Sequence, residues 1–211
     1  MRVLRIDVSP RLKDSHSREM ADLFQKAWFD ARPEDELIVR DLAQDPVPHI
    51  QQETIQGFFT PPEQLTPALK KALALSDQLI EELQPADVVI LSTPMHNFSL
   101  PSVLKAYFDH VIRINRTFKV GEGGHHGPFV GLLGGKRVYV FTASGAPYTN
   151  TALAPTDFLK PLLSTLFDFL GIRHVEFFSV EGTTLDPEAF ERTAADVKNR
   201  IPQKIAALTA A

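Results

Sequence analysis

Thr93-Pro94-Met95-His96-Asn97-Phe98 follows the apolar run Val88-Val89-Ile90-Leu91 and precedes a helical pattern that begins near Pro101. This order places the six residues at the carboxyl end of a buried parallel strand, the edge at which open α/β sheets bind their ligands. Pro94 stiffens the exit from the strand, Met95 offers a polarizable surface, and Asn97 supplies both donors and acceptors. His96 and Phe98 add two aromatic faces, so the segment suits a flat ring. It reads equally as a tight strand-to-helix connection with one buried aromatic, because a short loop motif is weak evidence by itself.

A β-α alternation extends outward from that segment in both directions. Strands are expected over 2–8, 36–40, 87–92, 136–143 and 173–180. Helices are expected over 17–31, 66–83, 102–114, 156–170 and from Asp186-Pro187 to the chain end. Met20, Leu23, Phe24, Ala27 and Trp28 recur at helical spacing, and Thr66-Pro67 and Asp186-Pro187 are cap-plus-proline openings. Five strands separated by helices imply right-handed crossovers and a doubly wound parallel sheet, helices on both faces, in one domain spanning 1–211. Two irregular excursions interrupt the pattern, one over 43–65 with Phe58-Phe59 among four prolines, the other over 115–135 and rich in glycine. Such long loops are usually functional, and Phe58 and Phe59 read as a pocket wall, a partner surface or residues folded back on the core.

Composition narrows the chemistry. The net charge of -4 supplies no basic field for nucleic acid or an anionic membrane. With no cysteine there is no disulfide, thiol nucleophile or thiolate-held metal, so electron transfer requires a bound cofactor. No apolar run approaches the ~20 residues needed to span a bilayer, and no export signal is evident, so a cytoplasmic protein is expected. His125-His126 come without H-E-x-x-H or a carboxylate at metal-binding spacing, and they read as exposed loop residues rather than ligands. His110 and His174 read as residues on element surfaces. A serine hydrolase is disfavoured, since neither Ser92 nor Ser144 lies in G-x-S-x-G.

The first βα turn, Ser9-Pro10-Arg11-Leu12-Lys13-Asp14-Ser15-His16-Ser17, occupies the usual phosphate position of a doubly wound fold. It has no glycine, which excludes the dinucleotide fingerprint G-x-G-x-x-G, and Val130 breaks the only P-loop frame at Gly135-Lys136. Ser9, Ser15 and Ser17 bring hydroxyls to a helix N-terminus, a donor set for a phosphate monoester, while Ser15 or Ser17 also reads as an ordinary N-cap. A phosphate at the first loop and a flat ring at the third strand describe a mononucleotide. FMN fits, and the flavodoxin-like strand order 2-1-3-4-5 has its crevice between strands one and three. After strand four, Ala143-Ser144-Gly145-Ala146 would let backbone N–H groups approach a ring edge, or form a plain tight turn.

These segments together resemble the FMN-dependent NADH-azoreductases, also described as NADH:quinone oxidoreductases. Ser9 with Ser15-His16-Ser17 is similar to that family's phosphate loop. Pro94-Met95-His96-Asn97-Phe98 resembles its P-M-Y-N-F motif, and Leu104-Lys105-Ala106-Tyr107-Phe108-Asp109 its L-K-x-Y-F-D helix. Arg113, Thr117-Phe118, and the run from Pro161-Leu162-Leu163-Ser164-Thr165 to Phe169-Leu170-Gly171-Ile172 continue a collinear match over nearly the full length. The resemblance implies a homodimer with active sites at the subunit interface, FMN as cofactor, and NADH or NADPH as electron donor. It implies ping-pong, two-electron reduction of quinones and azo compounds, with no side chain fixed as acid or base beyond His96 as a candidate. For a substrate pocket it suggests Phe58, Phe59, Phe118, Tyr148, Leu166 and Phe167. His96 stands where that family usually has Tyr, Lys119-Val120 replaces a more aromatic segment, and Gly145 with Tyr148 fits a G-G-x-Y variant. The alternative is a non-enzymatic FMN electron carrier, though such a carrier tends to be more acidic and to lack long walls around its flavin.

Overall fold

The computed structural model describes residues 1–124 and 126–209. Its β-branched and apolar runs form β1 (Arg2–Asp7), β2 (Glu36–Asp41), β3 (Val88–Pro94), β6 (Arg137–Ala143) and β7 (His174–Val180). All pair in parallel, in the order β2-β1-β3-β6-β7. Where the sequence predicts irregular chain over 115–135, the structure has an antiparallel hairpin, β4 (Phe118–Gly124) and β5 (Gly127–Gly131), outside the main sheet. The helices are α1 (His16–Ala31), α2 (Gln52–Phe58), α3 (Pro67–Leu83), α4 (Ser102–Val111), α5 (Leu159–Phe169) and α6 (Pro187–Thr209).

Side chains alternate across the pleat, so each strand serves two cores. Ile38, Leu4, Val89, Val138 and Val175 lie in one row across the sheet. That row packs beneath Leu79 and Leu83 of α3, Leu104 and Phe108 of α4, and Leu163 of α5. On the other face Val3, Ile90, Tyr139, Phe141 and Phe178 meet Met20, Phe24 and Trp28 of α1 and Val197 and Ile201 of α6. Phe24 lies 4.7 Å from Tyr139 and 5.3 Å from Phe141, ring centre to ring centre. Burying each such large side chain contributes roughly 1.5–3 kcal/mol.

Three departures from the sequence reading, two helix ends and one added helix, have local causes. The helix α4 stops at Val111 because the Thr117 hydroxyl donates to the Val111 carbonyl (2.6 Å) and accepts from the Arg113 amide (2.9 Å). The start of α5 is set by Asp157, whose Oδ1 accepts from the amides of Leu159 (3.0 Å) and Lys160 (3.1 Å). The 43–65 excursion contains α2, opened by a reciprocal pair in which the Gln51 side chain accepts from the Thr54 amide and Thr54 Oγ1 accepts from the Gln51 amide. In the hairpin, Gly131 runs so close to the Gly171 backbone that a Cβ would fall 2.1 Å from the Gly171 nitrogen. Glycine is required at 131 by the close approach of two stretches of backbone.

Two histidines depart from expectation. His110 is buried, at 3% exposure, rather than on a helix surface; its Nε2 lies 3.0 Å from the Pro48 carbonyl. His126 is half-buried against Phe169, its Nε2 3.0 Å from Asp168 Oδ2, and so is not a free loop residue. His125 lies outside the described residues, and His174 is exposed as expected. No helix among the described residues is long and apolar enough to cross a membrane.

Candidate flavin site at the carboxyl edge of the sheet

Because β1, β3 and β6 are parallel neighbours, the loops that follow them converge at one edge of the sheet. They enclose a cavity of about 290 Å³ lined by Ser9, Ser15, His16, Ser17, Pro94, Met95, His96, Ala143 and Gly145. The sheet thus brings together nine expected residues from three segments up to 136 positions apart in the chain. Asn97, Phe98, Ser144 and Ala146 flank this cavity; Ser144 instead faces a smaller one shared with Met95 and Tyr148. Arg11, Asp14, Thr183 and Thr184 also line it and were not anticipated. Thr183 and Thr184 follow the strand neighbouring β6, so the rule that ligands sit beyond the carboxyl strand ends was the signal available for them.

The first loop is built to receive an anion. Ser15 occupies the N-cap of α1 in extended conformation, yet its hydroxyl caps no helix amide and lies 3.4 Å from that of Ser17. The first turn of α1 therefore presents amide hydrogens without a side-chain cap, next to three buried serines. Behind the loop, Arg18 donates to the Ser9 carbonyl (2.7 Å) and makes a two-pronged pair with Asp41 (2.8 and 2.9 Å). Asp7 extends the network to Arg5 (3.0 Å) and to the Ser92 hydroxyl (2.5 Å), fixing β1, β2 and β3 to one another beneath the loop. Burial alone would raise the Asp41 carboxyl; bonds from Arg18, Gln44 and the Ala43 amide outweigh it and hold the group well below the usual carboxylate range.

The second loop begins inside the sheet, since β3 continues through Pro94 and the Met95 amide donates to the Ala143 carbonyl (2.8 Å). His96 and Ser99 exchange a pair of backbone hydrogen bonds (2.9 and 3.0 Å) across Asn97 and Phe98. Both central residues have positive φ, 47° and 71°, which makes this a type I′ turn that leaves Phe98 half exposed.

The third loop is held by the segment that follows β7. The Gly145 carbonyl accepts from the amides of Thr184 (3.1 Å) and Leu185 (2.9 Å), and the Ser144 hydroxyl donates to the Ala146 carbonyl (2.8 Å). A Cβ on Gly145 would meet only the Thr184 side chain, at 3.4 Å, so this wall is thin and admits close approach of backbone to a ring edge. The cavity therefore has a phosphate end of hydroxyls and helix amides and a flat end of proline, methionine and imidazole. That donor set fits FMN.

The residues expected to contact substrate do not converge in the same way. Phe58 and Phe59 line a separate cavity of about 550 Å³ with Arg113 and Arg116, which shares no lining residue with the first. Arg113 lies over the Phe58 ring, 5.3 Å from its centre. Phe118 packs on Phe129 and Phe169 between the hairpin and α5. Leu166 is partly buried against the core and Tyr148 is buried in the third loop. Phe167 is a correction to the expected set: it is 2% exposed and packs edge-on against Phe108, because the inward face of α5 points it into the core.

A parallel sheet whose loops after β1, β3 and β6 surround one cavity, with a phosphate end and a ring end, defines a mononucleotide-binding protein of the doubly wound class. The flavodoxin-like fold family profile matches residues 1–205, and the chain belongs to that family, in the group of the FMN-dependent NADH:quinone oxidoreductases. Such an oxidoreductase from Nostoc punctiforme is 40% identical over 205 residues, covering 97% of this chain and 98% of its own. One from Xanthobacter autotrophicus is 46% identical over 176 residues, covering 82% and 83%. Among solved structures, an FMN-dependent NADH-azoreductase from Bacillus anthracis in complex with FMN is similar with a TM-score of 0.83 and 25% identity, covering 97% of this chain and 100% of that one.

Proposed function

We propose that the protein is an FMN-dependent NAD(P)H oxidoreductase that reduces quinones and azo compounds in successive two-electron steps. The observation that carries the reading is the cavity itself, where uncapped helix amides and buried serine hydroxyls face a proline–methionine–histidine platform within one enclosure. When bound, FMN supplies a ring that takes up hydride from the nicotinamide and passes two electrons to the acceptor.

The chain's own residues bind and orient. Ser9, Ser15 and Ser17 donate to the phosphate, aided by the first turn of α1. Pro94, Met95, His96, Asn97 and Phe98 form the ring platform, and the backbone of Ala143, Ser144, Gly145 and Ala146 donates to the ring edge. His16 closes the phosphate end, held at 4.7 Å from the Phe190 ring. Protons come from solvent, so no side chain is required as acid or base. The oxidoreductase relatives favour this enzyme over a non-enzymatic carrier.

The whole chain acts as one flavin-binding unit in this reading, and the working form is a homodimer. In one copy the Phe58–Phe59 wall and Phe118 lie apart from the flavin cavity, as expected where a second copy completes the substrate pocket. Phe98 and Phe158 leave apolar surface exposed at the rim, at 50% and 57%. The cytoplasm, where NADH is supplied, is the compartment this reading calls for.

Anaerobic titration tests it. Protein loaded with FMN is mixed with excess NADH or NADPH, and bleaching of the flavin absorbance is followed before a quinone or azo dye is added. A flavin that remains oxidised with both donors overturns the reading, and size-exclusion mobility of a monomer overturns the dimer.

A further inference from the structure

We propose that Lys160 and Glu181 are positioning residues that latch the loop after β6 to the loop after β3, and thereby set the shape of the FMN cradle. The proposal rests on the flavin reading above and adds two residues that lie outside the flavin cavity.

Glu181 immediately follows β7 and is 4% exposed. Its Oε2 accepts from the backbone amides of Tyr148 (2.7 Å) and Thr149 (2.8 Å), and its Oε1 from the Thr149 hydroxyl (2.7 Å) and Lys160 Nζ (3.2 Å). One carboxylate thus holds the descending limb of the third loop by three donors. Lys160, in the first turn of α5, also pairs with Asp157 (3.2 Å), whose other oxygen caps that helix. Phe158, next to Asp157 in the chain, donates its amide to the carbonyl of Phe98 (2.9 Å) in the ring platform. A path of hydrogen bonds and one peptide link, Asp157 to Phe158, therefore runs from the third loop through Glu181, Lys160 and the α5 N-terminus to the second loop.

A buried ion pair gains little over apolar residues of the same volume, because desolvation offsets most of the attraction. What these charges add is direction. Four convergent donors allow one loop conformation where an apolar plug would allow several. Burial pushes the Glu181 carboxyl up, but the bonds from Thr149 and Tyr148 and the Lys160 charge prevail and leave it lowered, so the latch is ionised near neutrality.

The test uses the full-length protein stripped of flavin. FMN affinity is measured by quenching of flavin fluorescence for wild type, Lys160→Met, Glu181→Gln, the double variant and Lys160→Arg. Backbone amide exchange is followed at 148, 149 and 158. Each single change is expected to weaken FMN binding about tenfold or more, the double to be no weaker than the worse single, and Lys160→Arg to recover most of the loss. Amide 158 is expected to exchange faster in Glu181→Gln, although that residue makes no contact with it. A control, Trp28→Phe, weakens packing on the opposite face of the sheet and should leave FMN affinity unchanged. Additive losses, wild-type affinity in both single variants, or an unchanged exchange rate at 158 would each overturn the latch. Failure of the wild-type protein to bind FMN would instead overturn the flavin reading, and the exchange data would still decide whether the two loops are joined.

Discussion

Phe98 holds a backbone φ of +71° while its carbonyl accepts a 2.9 Å hydrogen bond from the amide of Phe158. For a bulky L-residue this conformation costs roughly 1–2 kcal/mol, and it persists because the His96–Ser99 pair and Phe158 together overdetermine it. Strain retained at the rim of a cavity points to a use for the ring that it exposes. Phe98→Gly relieves the strain and Phe98→Ala keeps it, while both remove the ring. Thermal melts should therefore find the glycine variant more stable than the alanine variant by about 1 kcal/mol, with turnover reduced in both.

Ser9→Ala and Ser17→Ala should weaken FMN retention by about tenfold each, since a hydrogen bond to a charged group contributes roughly 1.5–3 kcal/mol. Neither hydroxyl serves the fold through a cap bond, so circular dichroism should be unchanged. Equal FMN affinity in the double variant would place the phosphate elsewhere.

Arg18→Ala should destabilise the protein by about 3 kcal/mol, because it strands the largely buried Asp41 carboxylate and frees the Ser9 carbonyl. Asp41 is more acidic folded than unfolded. Its contribution is complete above the ordinary value of 3.8 and is lost as pH falls below it. Urea melts from neutral pH down to pH ~3 should show this acid loss in wild type and a shallower one in Arg18→Ala.

His110 gives a second pH response in a different window. Its Nδ1 is buried without a hydrogen-bond partner, its Nε2 meets the Pro48 carbonyl, and burial lowers its affinity for a proton. The folded state therefore favours neutral imidazole. Stability is complete above the ordinary value of 6.5 and declines as pH falls below it. His110→Gln retains a donor for Pro48 without a titrating group, and its stability should be flatter between about pH 5 and 7.

His96 lines the flavin cavity beside Pro94 and Met95. His96→Tyr should change the range of acceptors, measured as kcat/KM over a panel of quinones and azo dyes. An unchanged acceptor range would show that the imidazole has no part in setting it.

The fold was legible wherever periodicity and burial agree. Val88–Leu91, apolar without interruption, is a strand covered on both faces, and Met20, Phe24 and Trp28 form the inner stripe of α1. The phosphate loop and ring platform were legible because each is a contiguous segment of distinctive donors and rings. The hairpin at 118–131 was not, since Gly131 answers to the Gly171 backbone, 40 residues further on, and Gly124 to the Phe129 carbonyl across the hairpin. Phe167 and His110 were misplaced for a related reason. Leu159, Leu163 and Phe167 recur at four-residue spacing on the inward side of α5, and His110 lies on the buried side of α4 with Ala106 and Tyr107, but which side of each helix meets the sheet is fixed by packing.

By itself the sequence determined the order of strands and helices, the absence of thiol chemistry, and the residue types offered at each loop. These follow from local preferences and from the alternation of buried faces. The tertiary structure decided which offers meet. Parallel pairing brings Ser9, Met95 and Gly145 to one cavity, while Phe58 and Phe59 line another. It also decided how the loops are held, through Arg18 on Ser9, Phe158 on Phe98 and Glu181 on Tyr148. Such contacts join residues far apart in the chain, and a hydrogen bond depends on position to within a few tenths of an ångström, which only the packed sheet and helices can fix.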